Sequence, residues 1–176
     1  MPDIWVTSDT HFNHKNILNF TDDEGKKVRP FDSVEEMNEV LIERWNEVVK
    51  PGDKIYHLGD VFFGPKEWIE DNWHRLNGKK RLVVGNHDDI LYIAQQRMFE
   101  KIELWRMFSE FNLLLTHVPV HNSTLYERRF KNAPMLPMIN VHGHIHSNAS
   151  PAGPYVCACV EQTDYRPINI EELRVK

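Results

Sequence analysis

Short apolar runs and amphipathic stretches alternate through the first hundred residues. Ile4–Thr7 reads as a short buried strand, followed by a polar stretch, 13–30, with a turn signal at Asp22-Asp23-Glu24-Gly25. Ser33 is placed as an N-cap with Glu36 three residues on, a capping box. Val34, Met37, Leu41, Trp45 and Val48 then fall on one helical stripe, which Pro51-Gly52-Asp53 ends. Ile55–Leu58 reads as a second strand, and Pro65–Leu76 as a helix with Pro near its start and Gly78 past its end. Arg81–Val84 reads as a third strand, and Asp88 or Asp89 as the cap of a helix running to about Met98. From there the pattern turns strand-rich: Phe111–Leu115, Met138–Val141 and Tyr155–Val160. The order β-α-β-α-β-α followed by strands predicts an α/β fold whose first half is built from parallel crossovers.

Composition narrows the classes. At 176 residues, with 41% apolar and 27% charged residues, the chain is expected to form a single domain over 1–176, and no repeat or linker divides it. The net charge of −5 argues against stable non-specific binding to nucleic acid. The tightest apolar run, 155–160, is far short of a membrane span, and the N-terminus does not resemble a signal peptide. The two cysteines, Cys157 and Cys159, are too close in sequence for a good disulfide, so a cytoplasmic setting is expected. Against them stand ten histidines, which points to imidazole-based metal binding.

Five clusters that carry chemistry each follow a predicted strand, where open α/β sheets place their sites. In Asp9-Thr10-His11 an i, i+2 pair on extended chain turns a carboxylate and an imidazole to one side. Gly59-Asp60 lets a carboxylate enter a cleft, because Gly allows the chain to bend closely. In Gly85-Asn86-His87-Asp88, Asn86 offers a neutral oxygen to a cation, His87 suits acid work, and Asp88 is placed to hold the His87 tautomer. His117 ends a leucine-rich strand. In His142-Gly143-His144-Ile145-His146 three alternating imidazoles share a face, a pattern that a metal explains better than burial does, with His142 the most structural of the three.

Taken in chain order, D-x-H, G-D, G-N-H-D, H and G-H-x-H resemble the calcineurin-like metallophosphoesterase family, and the Asp-Thr-His-Phe-Asn-His opening is similar to its small single-domain phage and bacterial members. The resemblance spans Asp9 to His146 with no motif position missing. It implies a four-layer αββα sandwich, two β-sheets packed face to face with helices outside. It also implies two divalent ions. Asp9, His11 and His146 would bind one, Asn86, His117 and His144 the other, and Asp60 would bridge them. The implied reaction is hydrolysis of phosphodiesters or phosphomonoesters by a metal-bridging hydroxide, with His87 protonating the leaving group and Asp88 beside it.

Oxygen and nitrogen ligands without thiolate suit Mn, Fe, Zn, Ni or Co, and manganese is the first expectation. Two carboxylates against two divalent ions leave the centre positive even though the chain is at −5, so an anionic phosphoryl group is attracted. A small phosphoester substrate, nucleotide-derived ones included, is the expected partner. Asn13 and His14 beside the first motif, and Arg128 and Arg129 further on, are candidate substrate contacts, each also readable as solvated loop. The rival reading is a non-catalytic metal-binding scaffold that recruits partners through the same fold. A metallo-β-lactamase site fits less well, since its H-x-H-x-D-H run near the first strands is missing.

Overall fold

The computed structural model describes residues 2–125 and 137–173. Its strands form two sheets. The first has the order β4-β3-β2-β1-β9, from β1 (Ile4–Thr7), β2 (Lys54–His57), β3 (Lys79–Val83), β4 (Lys101–Glu103) and β9 (Ile168–Asn169). The second has the order β5-β6-β7-β8, from β5 (Arg106–Phe108), β6 (Leu113–Leu115), β7 (Ile139–His142) and β8 (Tyr155–Cys157). β1, β2, β3 and β4 run parallel, as do β6, β7 and β8, while β9 and β5 join antiparallel.

The central strands of the first sheet are buried on both faces. Ile55 and Leu82 face a cluster built with Met37, Leu41 and Trp45 of α1 (Val34–Val48), Ile69 of α2 (Lys66–Asn72) and Ile93 of α3 (Ile90–Gln95). Their sequence neighbours Tyr56 and Val83, with Val6, face the other way and meet Phe108, Leu113, Leu115, Ile139 and Val141 of the second sheet. The period-two alternation therefore divides one strand between two cores, and the sheets pack face to face with the helices outside. Among the described residues, all three α-helices lie on the first sheet.

Local chemistry explains most boundaries. Ser33 Oγ accepts the Glu36 N–H at 3.1 Å, while Glu36 reaches back to the Asp32 N–H at 2.8 Å, one residue earlier than a standard capping box. The helix expected to reach Leu76 leaves α geometry at Asn72 and continues as a 3-10 turn, Trp73–Arg75. α3 is capped by Asp89 and ends at Gln95, because Arg97 takes φ +52°. Asn112 at φ +56° turns the chain between β5 and β6, so the strand expected from Phe111 starts at Leu113. β8 ends at Cys157; beyond it Cys159 bridges Ser8, and Val160 opens a 3-10 turn. β4, β5 and β9 are short and were not legible from the pattern. No helix among the described residues is long and apolar enough to cross a membrane.

Candidate metal centre

The loops after β1, β2, β3, β6 and β7 leave the carboxyl ends of both sheets and converge. They bring together two groups of ligand-type side chains, Asp9 with His11 and His146, and Asp60 with His117 and His144, the donor atoms within each group lying within 4.8 Å of one another. Asp60 Oδ2 sits 3.6 Å from His11 Nε2 and 3.6 Å from His117 Nε2, so one carboxylate oxygen faces both groups. Asn86 Oδ1 lies 2.8 Å from His117 Nε2 and 3.0 Å from His144 Nδ1, which adds it to the second group.

Backbone conformation aims these side chains. Asp9, His11, Asp60, His144 and His146 all occupy the left-handed region, with φ between +46° and +72°. Asp9 and His11 thus converge through two left-handed residues and not through the extended i, i+2 geometry expected of them. Such conformations are costly for residues with a Cβ and concentrate at functional sites. Glycines allow the close approach: a methyl group on Gly59 would strike Gly85, one on Gly85 would strike Asp60, and one on Gly143 would strike Ser8 and Asp9.

The first group is deeply supported. Asp9 is fully buried; its Oδ2 accepts from Ser8 Oγ at 2.5 Å, the His144 N–H at 2.9 Å and Cys159 Sγ at 3.3 Å. Burial pushes its carboxyl above the ordinary range, although the His117 and His146 imidazoles and the Ser8 and His144 donors oppose the shift. Burial, with Arg29 next, holds the His11 imidazole far below its usual value and therefore neutral. His146 turns Nε2 toward Asp9, and its Nδ1 lies 2.9 Å from Glu161 Oε1. Glu161 in turn receives Arg29 Nε at 2.8 Å. Burial would raise the Glu161 carboxyl, but Arg29 and His146 outweigh it and keep it ionised. A carboxylate behind a histidine in this way fixes the ring and its tautomer for ligation at the far nitrogen. Fully buried Arg29 also donates Nη1 to the Thr10 carbonyl at 2.7 Å and Nη2 to the Asp9 carbonyl, bracing the loop.

Arg29 and Glu161 were missed from sequence. They lie 20 and 152 positions from Asp9, outside any motif, and a polar stretch gave no sign that an arginine would be buried.

Divalent ions fit this arrangement. Among the described residues, Asp9 Oδ1 and both ring nitrogens of His11 find no hydrogen-bond partner although they are buried, a state that costs about 1–3 kcal/mol per group unless a ligand relieves it. The donors are oxygen and nitrogen, suited to first-row divalent ions.

Other expected residues fall in two sets. His87 is exposed at the mouth, its ring centroid 5.9 Å from that of His11 and 5.6 Å from that of Phe63, and its N–H donates to Asp60 Oδ1 at 2.9 Å. Asp88 does not hold the His87 ring, as expected of it. Its carboxylate takes the backbone N–H groups of Gly85, Asp60 and Val61 at 2.7, 3.1 and 3.0 Å, tying the β2 and β3 loops together. His14 stands on the rim, stacked on Phe63 at 4.4 Å and 5.5 Å from His11, and Asn13 donates its N–H to Asn38 Oδ1. His142 is fully buried and turns to the Gly143 carbonyl and Ser150 instead of the site. Arg128 and Arg129 lie outside the described residues.

Comparison with known proteins gives the family and the fold. Residues 3–158 match the calcineurin-like phosphoesterase superfamily domain. An uncharacterized protein of Methanocaldococcus jannaschii, MJ1445, is 31% identical over 180 residues, covering 97% of this chain and 89% of that one. The gene 66 protein of Mycobacterium phage D29 is 27% identical over 84% of this chain and 80% of its own length. The crystal structure of AQ665, a protein of unknown function from Aquifex aeolicus, superimposes with a TM-score of 0.72 at 28% identity, covering 98% of both chains. By its motifs, its two sheets and the domain matched along most of its length, this chain belongs to the calcineurin-like phosphoesterase superfamily.

Proposed function

We propose that this chain is a phosphoester hydrolase working with two divalent ions on small phosphodiesters or phosphomonoesters, nucleotide-derived ones included. The observation that carries the reading is the position of Asp60 Oδ2, 3.6 Å from an imidazole nitrogen of each ligand group. Asp9, His11 and His146 hold one ion, Asn86, His117 and His144 the other, and Asp60 is shared. When bound, the ions supply a water of lowered pKa and a positive clamp on phosphate oxygens. The chain's own residues do the rest. Asp88 and the glycines hold the loops in register, and Glu161 with Arg29 fixes the His146 ring. His87, exposed beside the cleft and anchored through its N–H, passes a proton to the departing ester oxygen, a general-acid role worth about 10²–10⁴ in rate. His14 and Asn13 flank the phosphate entrance. Manganese is the first ion to try. The two free, buried cysteines suit a reducing, cytoplasmic setting.

Hydrolysis of bis-p-nitrophenyl phosphate and p-nitrophenyl phosphate tests this. With Mn²⁺ the chain turns over at least one of them, a chelator stops it, and added Mn²⁺ restores it. If ions bind but none of Mn, Fe, Zn, Ni or Co supports turnover, the chain is instead a metal-binding scaffold for partners.

A further inference from the structure

Beside the second ligand group runs a groove of about 400 Å³, within the size range of small-molecule pockets. Its lining is mixed: Asn86 and His117 are polar, while Leu104, Trp105, Val118 and Val120 are apolar. Leu104 and Trp105 are the two residues between β4, an edge of the first sheet, and β5, an edge of the second. Pairing of β4 to β3 and of β5 to β6 fixes both ends of that connection, and the Glu103 carbonyl accepts the Val84 N–H at 3.0 Å. The apolar surface is therefore held in place, yet Leu104 is 70% and Trp105 61% exposed, with Val118 at 45%. Large exposed apolar side chains in contiguous array mark binding surfaces, and tryptophan offers a flat face for stacking.

We propose that this groove is the subsite for a planar aromatic group carried by the phosphoester, a nucleobase or an aryl ring, stacked on Trp105 while the phosphate sits between the ligand groups. The inference rests on the phosphoester reading and narrows it. Its argument is continuity: Asn86 and His117 belong to both the ligand set and the groove wall, so a phosphate held there brings its ester group to the groove that these apolar side chains also line. Nothing in the motif sequence points to Leu104 or Trp105.

Binding to Mn²⁺-loaded protein tests this without turnover. Methylphosphonate and phenylphosphonate form one pair of probes, the non-hydrolysable 5′-methylenephosphonate analogues of ribose 5-phosphate and adenosine 5′-monophosphate the other, titrated by calorimetry and by tryptophan fluorescence. The aromatic member of at least one pair binds about tenfold tighter or better, and the pair that shows it separates aryl from nucleobase preference. Trp105→Ala removes that gain and its fluorescence quenching but leaves binding of methylphosphonate and the ribose phosphonate unchanged, while Trp105→Tyr keeps most of it. The exposed position makes both variants foldable, checked by thermal melting. Equal affinities within both pairs, or a gain that survives Trp105→Ala, overturn the subsite and leave the phosphoesterase reading standing. A dimer that sediments as such in wild type and dissociates in Trp105→Ala also overturns it, since a second copy then covers the patch. If not even methylphosphonate binds, the phosphoester reading itself fails, and this inference with it.

Discussion

The two ligand groups share Asp60 but are built differently. The first is sealed: Asp9 and His11 are buried, and behind them Ser8, Cys159, Glu161 and Arg29 make a second layer of hydrogen bonds. The second opens to solvent: Asn86 and His144 are exposed, and His117 is backed from Nδ1 by the Leu58 carbonyl at 2.7 Å. Depth gives the first group fixed, desolvated donors that favour retention of an ion. Under the proposed function, exposure would give the second the access that an exchanging ion and an arriving ester need. Permanence and access are thus divided between neighbours, with one carboxylate linking them.

Four experiments break or sharpen that division. Asp60→Ala has the largest expected effect, because it removes a donor from both groups: both ions are lost by elemental analysis, and turnover falls to the chelated level. Retention of one full equivalent of metal would show that the groups are independent. His87→Ala keeps both ions and lowers turnover by about 10²–10⁴. If it loses metal as Asp60→Ala does, His87 is a ligand and not an acid.

Glu161→Gln acts on one side only. It keeps an acceptor for His146 but removes the charge that polarises the ring, and ion affinity at the first group falls about tenfold. In wild type a chelator strips the second group first; in the variant that order reverses, read from paramagnetic broadening of the His144 and His146 ring signals. An unchanged order would mean that burial, not the Arg29–Glu161–His146 chain, holds the first ion.

The last effect, outside the ion chemistry, is on stability against pH in the metal-free chain, and it concerns the scaffold beneath both groups. His57 Nδ1 accepts the Gly59 N–H at 3.2 Å, so its proton resides on Nε2, which donates to Thr10 Oγ1 at 2.9 Å. Thr10 then donates to the Val61 carbonyl at 2.7 Å, linking the β1 and β2 loops. Burial, then the nearby His117, lowers the His57 imidazole to about 3. Below about pH 6.5 the unfolded chain takes up a proton that the folded chain refuses. His57's contribution is therefore complete above that value and is lost toward pH 3, at about 1.4 kcal/mol per pH unit. Denaturation at pH 7, 5.5 and 4.5 shows this decline, shallower by one proton in His57→Gln. A His57 ring that titrates near 6.5 by NMR would remove the proposed linkage.

How far each layer could be read depended on the range of the interactions behind it. The strands β1, β2 and β3, the α1 stripe and the Ser33 cap follow from near neighbours, and residue order carries such information directly. The ligand candidates were visible because each sits in a short motif after a strand. β4 and β5 were not, since strands of three residues are made by pairing with β3 and β6 and not by their own pattern.

The sequence by itself determined the chemistry available, namely which carboxylates, imidazoles and amide oxygen follow which strands, because composition and local spacing are properties of the polymer. Tertiary structure decided their use. It set five ligand candidates at positive φ, buried Arg29 and Glu161 behind His146, moved Asp88 from a ring partner to a loop tie, and brought Trp105 to one groove with Asn86 and His117. Each of these depends on contacts between distant segments, and only the packed sheets supply the energy to hold strained backbone and buried charge in place.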